Sequence, residues 1–161
     1  MNVNVESAIR FVNLTTSGLL AGSLGFGESA LTPGWENERA GSVEGKRRNS
    51  EADKYFNAIG PIALATSMTL VVGARGARGL RVLDVLAALG LAGVVATTLL
   101  GTVPINQELE LQAPADYPSE ASQSLTKNWT RAHAMRTALG ISAFICAVGS
   151  SVAGAMSTDS R

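Results

Sequence analysis

Charged side chains fall in blocks along the chain, and long apolar runs separate the blocks. From Leu14 to Leu31 the only charged residue is Glu28, and Ala58 to Gly73 contains none. Val82 to Val103 carries only Asp84, near its start, and Thr137 to Met156 again carries no charge. A bilayer core about 30 Å thick takes roughly 20 mostly apolar residues per helix, within a usual range of about 17–25. The second run falls short of that length, but it can extend upstream through Tyr55, Phe56 and Asn57. The pattern predicts an all-α, integral membrane four-helix bundle forming one domain over residues 1–161. Its helices are placed at about 9–31, 55–74, 80–103 and 128–156, with long loops at about 32–54 and 104–127.

A soluble four-helix bundle is the alternative, and it needs a polar stripe on each helix at the 3.6-residue period. The stretch from Leu83 to Ala96 has no such stripe and is apolar all the way round. Hydrocarbon therefore fits it better than water. The helices are also rich in small residues, which let backbones approach closely where lipid supplies no hydrophobic drive. Gly18 and Gly22 form a GxxxG step that Gly25 and Gly27 continue, a face suited to helix packing or to a homo-oligomer. Pro61 is expected in the first turn of the second helix, where its missing N–H matters little. The first segment is a poor signal peptide: its positive region is only Arg10, and Glu28 interrupts the place where cleavage belongs.

Four spans put the two long connections on one side, and both termini with the short second-to-third link on the other. Arg75, Arg78 and Arg81 crowd that short link beside two membrane boundaries. The positive-inside rule then favours cytoplasmic termini in a cell-membrane protein.

Composition narrows the function further. The chain balances 13 basic against 13 acidic side chains, so there is no basic patch to suggest nucleic acid. Only 16% of its 161 residues are charged, against about 25% in a typical soluble domain. A lone cysteine excludes an internal disulfide, and a lone histidine excludes His-rich metal sites. Neither a P-loop nor a dinucleotide fingerprint in its proper setting occurs. Cys146, inside an uninterrupted apolar helix, reads as packing.

Three places carry candidate chemistry. On a helix, Trp129, His133 and Arg136 stand at i, i+4 and i+7 and share one face. An aromatic plate, a group that exchanges protons near neutral pH and a fixed cation then point the same way. Membrane-interface anchoring by Trp and snorkelling by Arg is the structural alternative. Glu28, about a turn from the end of a membrane helix, is a functional candidate because an intramembrane carboxylate is expensive unless paired or hydrated. After the third helix comes Val103-Pro104-Ile105-Asn106-Gln107-Glu108-Leu109-Glu110, where Asn106 can turn the chain or face a ligand. Glu108 or Glu110 could join Glu28 and His133 at a metal.

Taken in order, these residues resemble a family. A glycine-rich first helix ends near a Pro, Tyr55-Phe56-Asn57 opens the second, Val103-Pro104-Ile105-Asn106 follows the third, and Trp129…His133-Ala134-Met135-Arg136-Thr137 opens the fourth. The arrangement is similar to the DUF1772, or anthrone oxygenase-like, family of small four-helix membrane proteins, over nearly the whole chain. Its most specific elements are the V-P-x-N turn and the W-x3-H-x2-R-T segment. The charged stretch from Asn37 to Asp53 and Gln107, where the family often has a second Asn, depart from the pattern.

The resemblance implies oxidation of a flat, lipophilic anthrone-type polyphenol to a quinone, as in polyketide biosynthesis, with O2 as co-substrate and without flavin or haem. Such chemistry needs a base, an oxyanion clamp and a greasy slot. His133 is expected as the base, and Arg136 and Asn106 as stabilisers of the anion. Trp129, Asn57 and Glu28 are the substrate-side residues, Trp129 by stacking and Glu28 by orienting His133 or Arg136. One rival reading is a metal-dependent membrane oxygenase using Glu28, His133 and Glu108 or Glu110. Another is a non-catalytic membrane subunit or scaffold. A transporter fits less well, since no inverted repeat or broken helix pair is visible.

Overall fold

A computed structural model describes residues 3–27, 43–73, 78–111 and 120–158. The helices are α1 (Val3–Phe26), α2 (Val43–Gly73), α3 (Arg78–Thr97), α4 (Val103–Leu111) and α5 (Glu120–Thr158). A π-helical turn, Thr98–Thr102, joins α3 to α4, so the five segments make four rods, with no strand among the described residues. Around the bundle, α1 packs on α2 and α5, and α3 packs on the same two. Neighbouring rods are antiparallel: Arg10 meets Ser150 at one end, and Leu24 meets Thr137 toward the other. The all-α expectation holds.

The apolar core is small and central: Leu20 and Leu24 from α1, Ala63 from α2, Leu91 and Val94 from α3, and Ala143 from α5. Around it the interior is unusually polar, with Asn13, Ser17, Ser67, Asp84 and Ser150 all buried. Large apolar side chains instead point outward on every rod, among them Phe11, Val72, Leu89, Leu100 and Ile145, with Val72 87% and Leu100 82% exposed. An apolar core is thus combined with many exposed large apolar side chains, and extended exposed apolar patches are rare on soluble monomers. Two stretches, Leu80–Glu108 and Gln123–Met156, are long and apolar enough to cross a membrane, at mean hydropathies of 2.1 and 1.8. Only 22% of each apolar window is buried within the bundle, whereas the core helix of a soluble protein is mostly covered.

The helix ends need correcting. The second helix begins at Val43 instead of about 55, and the fourth begins at Glu120 instead of about 128. Helices run on past their apolar stretch because Glu, Lys, Arg and Gln are good helix formers in water. Consequently Pro61 lies inside α2, not in its first turn, and removes one intrahelical hydrogen bond. The chain after the third helix is also no loop: it stays helical through Pro104 to Leu111. An α-turn there would press the proline ring on the carbonyl four residues back. The wider turn accommodates the ring, and the Val103 N–H donates to the carbonyl of Thr98, five residues behind.

The glycine run of α1 divides: a methyl at Gly18 would meet the Phe144 ring at 3.1 Å, as the small-residue step leads one to expect, whereas one at Gly22 or Gly25 would meet nothing within 4 Å. The tight approach is between α3 and α5, where a methyl at Gly90 would stand 2.9 Å from Cβ of Ala143. At one end, Arg10 donates to Glu6 (3.0 Å), Asp84 (3.2 Å) and Ser150 (2.9 Å), and Ser150 donates to Asp84 at 2.6 Å. Midway, the buried Asn13 Oδ1 accepts from Ser67 at 2.8 Å and Thr66 at 3.1 Å, fastening α1 to α2.

Candidate functional site

At the end of the bundle opposite Arg10, the first half of α5 turns three residues inward. Trp129, His133 and Arg136 are 8%, 4% and 5% exposed. Their spacing puts them on one helical face, and contacts from every other rod complete the cluster.

The Trp129 and His133 rings lie parallel, 7° apart in plane, with centroids separated by 4.9 Å. One face of the indole is therefore covered by the imidazole, which narrows the expectation that Trp129 stacks on a substrate. Arg136 Nη2 donates to His133 Nδ1 at 2.8 Å. A guanidinium has no acceptor, so Nδ1 contributes its lone pair, and the neutral ring carries its proton on Nε2. The Nδ1 atom can take a proton only when Arg136 moves away.

Phe56 and Thr98 hold Arg136 from other rods. Its Cζ lies 5.0 Å from the centre of the Phe56 ring on α2, a cation–π contact. Its Nη1 donates to Thr98 Oγ1 at 3.4 Å, at the start of the π turn. On the α1 side, Thr137 Oγ1 donates to the Leu24 carbonyl at 3.4 Å. Gly27 closes over the imidazole, where an added methyl group would meet Nε2 at 3.0 Å and Cε1 at 3.3 Å.

Asn106 lies on α4, half-buried, with a buried Oδ1 that has no hydrogen-bond partner among the described residues. The same holds for Oγ1 of Thr102, which is 4% exposed. Thr98, Thr102 and Asn106 succeed one another at four-residue steps along a rod that packs on α5. Phe56, Thr98, Thr102 and Gly27 were not assigned roles from sequence. The Thr98–Thr102–Asn106 spacing was readable, but only with a helix running through Pro104.

Glu28, and the side chains of Asn57 and Glu110, lie outside the described residues. Glu108 is exposed on α4. Among the described residues, no three His, Cys, Asp or Glu side chains come together as a metal-binding group. Cys146 is a half-buried free thiol. An open depression lined by Met68, Thr69, Val72 and Gly73 lies on α2 toward the opposite end of the bundle. Its lining comes from one helix and brings no charged group, so it is a surface dimple away from the chemistry.

Residues 53–146 match the anthrone oxygenase family. The chain belongs to the anthrone oxygenase family. In this family member the matched stretch holds Phe56, Thr98, Thr102, Asn106, Trp129, His133 and Arg136. Leu24 and Gly27, which close the cluster from α1, precede it. Neither a curated protein nor a solved structure matches the chain.

Proposed function

We propose that this anthrone oxygenase family member is a four-span membrane enzyme that oxidises a flat, lipophilic, anthrone-like polyphenol with O2. The observation that carries the reading is the buried Arg136–His133 pair, enclosed by Trp129 and Phe56 within the family-matched stretch. A fixed cation and an imidazole in an aromatic enclosure suit a planar substrate that becomes an anion.

The chemistry balances without a flavin or haem. The substrate carries a doubly activated CH2 beside its rings. As it binds, its carbonyl oxygen draws the Arg136 guanidinium off His133 Nδ1, and the freed nitrogen removes one CH2 proton. Arg136 and the Asn106 amide N–H stabilise the resulting oxyanion. This electron-rich anion passes one electron to O2, and the organic radical and superoxide combine to a carbon-bound peroxide. Protonation of the peroxide and loss of the second C–H proton break the O–O bond. The products are a quinone carbonyl and one water, so one oxygen atom enters the product.

Trp129 holds the imidazole plane and borders the substrate. Asn57 and Glu28 remain substrate-side candidates because they follow Phe56 and Gly27 in the chain. The bilayer is both the solvent of the protein and the source of its substrate. The apolar outer faces of all four rods support this placement, with both termini and the arginine-rich link in the cytoplasm of a cell-membrane protein. Gly22 and Gly25 leave a small-residue face that a second copy can approach.

The test is oxygen uptake by the purified protein in detergent with anthrone as substrate. Wild type is expected to consume one O2 per quinone formed, and His133→Gln to lose about 10²–10⁴-fold in rate. Equal rates in the two proteins would reject the assignment. Alkaline washing of membranes should leave the chain in the pellet, and its release without detergent would reject the spanning arrangement.

A further inference from the structure

The π turn before Pro104 contains a threonine whose hydroxyl behaves unlike its neighbours. Thr97, the last residue of α3, and Thr98, the first of the π turn, each donate their hydroxyl to the carbonyl four residues back, Gly93 and Val94, at 2.8 Å. This is the ordinary resting place of a helical threonine. Thr102 departs from the habit. Its counterpart carbonyl, on Thr98, accepts the Val103 N–H in the widened turn, and Thr102 Oγ1 does not join it: the hydroxyl is buried without a partner among the described residues. Four residues on, Asn106 Oδ1 is buried in the same condition. A buried polar atom left unsatisfied costs about 1–3 kcal/mol, and π-bulges are frequent at functional sites.

We propose that Thr102 is a specificity-determining residue that, with Asn106, reads a phenolic hydroxyl on the substrate. The proposal rests on the oxygenase reading above and adds to it what the site recognises beyond the reacting carbon. The donor and acceptor sets match. A phenol O–H donates to Asn106 Oδ1, an acceptor, while the phenol oxygen accepts from the Thr102 hydroxyl. A ring without that hydroxyl leaves both atoms unpaired, and sites built around buried polar groups reject analogues lacking the matching group. Placement supports the same reading. Thr98, one step before Thr102, touches Arg136, and a methyl at Gly101 would stand 3.5 Å from Cβ of Ala132, beside His133.

The test compares wild type, Thr102→Val and Thr102→Ser as full chains in detergent. Equilibrium dialysis measures binding of anthraquinone and 1,8-dihydroxyanthraquinone, and turnover is measured on anthrone and 1,8-dihydroxyanthrone. Wild type and Thr102→Ser are expected to prefer the hydroxylated partner of each pair. Thr102→Val should reduce that preference roughly three- to tenfold, the equivalent of one neutral hydrogen bond. Its melting temperature should hold or rise, because an orphaned hydroxyl has been replaced by a methyl of the same shape. An unchanged preference in Thr102→Val overturns the proposal. So does a lowered melting temperature, which would make the hydroxyl an internal structural partner. Absence of turnover with the binding difference intact would defeat the oxygenase reading and leave the subsite standing.

Discussion

Arg136 donates to His133 Nδ1 across 2.8 Å, three residues apart on one helix, with both side chains buried. The two groups therefore act as a unit: the arginine fixes the tautomer and orientation of the ring, and the ring keeps the guanidinium from turning elsewhere. Groups that act as a unit are not additive when removed. Arg136→Met is expected to lower kcat/KM about 10²–10³-fold. Adding His133→Gln should then cost little more than the worse single variant. A double-mutant cycle on anthrone oxidation checks this, and strictly additive losses would mean that the residues work independently.

Gly27 offers a way to disturb the imidazole from a different helix. A side chain there would begin 3.0 Å from His133 Nε2, so the ring or the end of α1 must yield. Gly27→Val is expected to slow turnover by at least about tenfold, since displacements near 1 Å can cost as much as 10²-fold. Melting should shift only modestly, because the site is at the end of the bundle. Wild-type turnover in this variant would show that the Gly27 contact has no part in placing His133.

The opposite end of the bundle predicts a change in stability. Asp84 is 2% exposed and accepts from Arg10, whose side chain is 12% exposed, and from Ser150. Asp84→Ala takes the acceptor from the buried Ser150 hydroxyl and leaves the largely buried Arg10 guanidinium with Glu6 as its carboxylate partner. Breaking a buried pair on one side costs up to about 3–5 kcal/mol, and the remaining Glu6 contact holds the loss toward the lower end. Thermal unfolding in detergent should show the drop, while the folded fraction at low temperature keeps its turnover rate. A loss below about 1 kcal/mol would place the Arg10 cluster among ion pairs of no structural weight.

Packing between α3 and α5 separates glycines that matter from glycines that do not. Gly90→Val must push its Cβ against Ala143 at 2.9 Å and the Leu139 carbonyl at 3.1 Å, an overpacking worth about 1–3 kcal/mol. Gly22→Ala adds a methyl on an exposed face of α1 that meets nothing within 4 Å, and should stabilise the helix by about 0.5–1 kcal/mol. Paired melting curves check both, and a reversed order would relocate the helix seam.

Much of this architecture was legible in the order of residues, and the gaps have identifiable causes. Long uncharged runs located the rods because an apolar stretch of that length satisfies its backbone hydrogen bonds most simply within one continuous helix. The i, i+4, i+7 spacing grouped Trp129, His133 and Arg136 because a single helix carries all three. What escaped was whatever needed a second helix or a departure from the α-turn. Phe56 and Thr98 meet Arg136 only through packing between rods. Pro104 reads as a helix stop, yet the chain stays helical through it behind a π turn, where the Thr102 hydroxyl is buried without a partner among the described residues. The GxxxG step of α1 signalled close packing, which Gly18 makes against Phe144 while Gly22 meets nothing; the seams at Gly90, Gly93 and Gly140 carry no such spacing signal.

The most direct measurement is the mass of quinone formed from anthrone under isotopically heavy oxygen gas, with wild type and Arg136→Met compared at equal concentration in detergent. A single heavy oxygen atom is expected in each quinone, formed by the wild type far faster than by the variant or by buffer alone. Quinone appearing at one common rate in all three would contradict the claim that the buried Arg136–His133 pair catalyses the reaction.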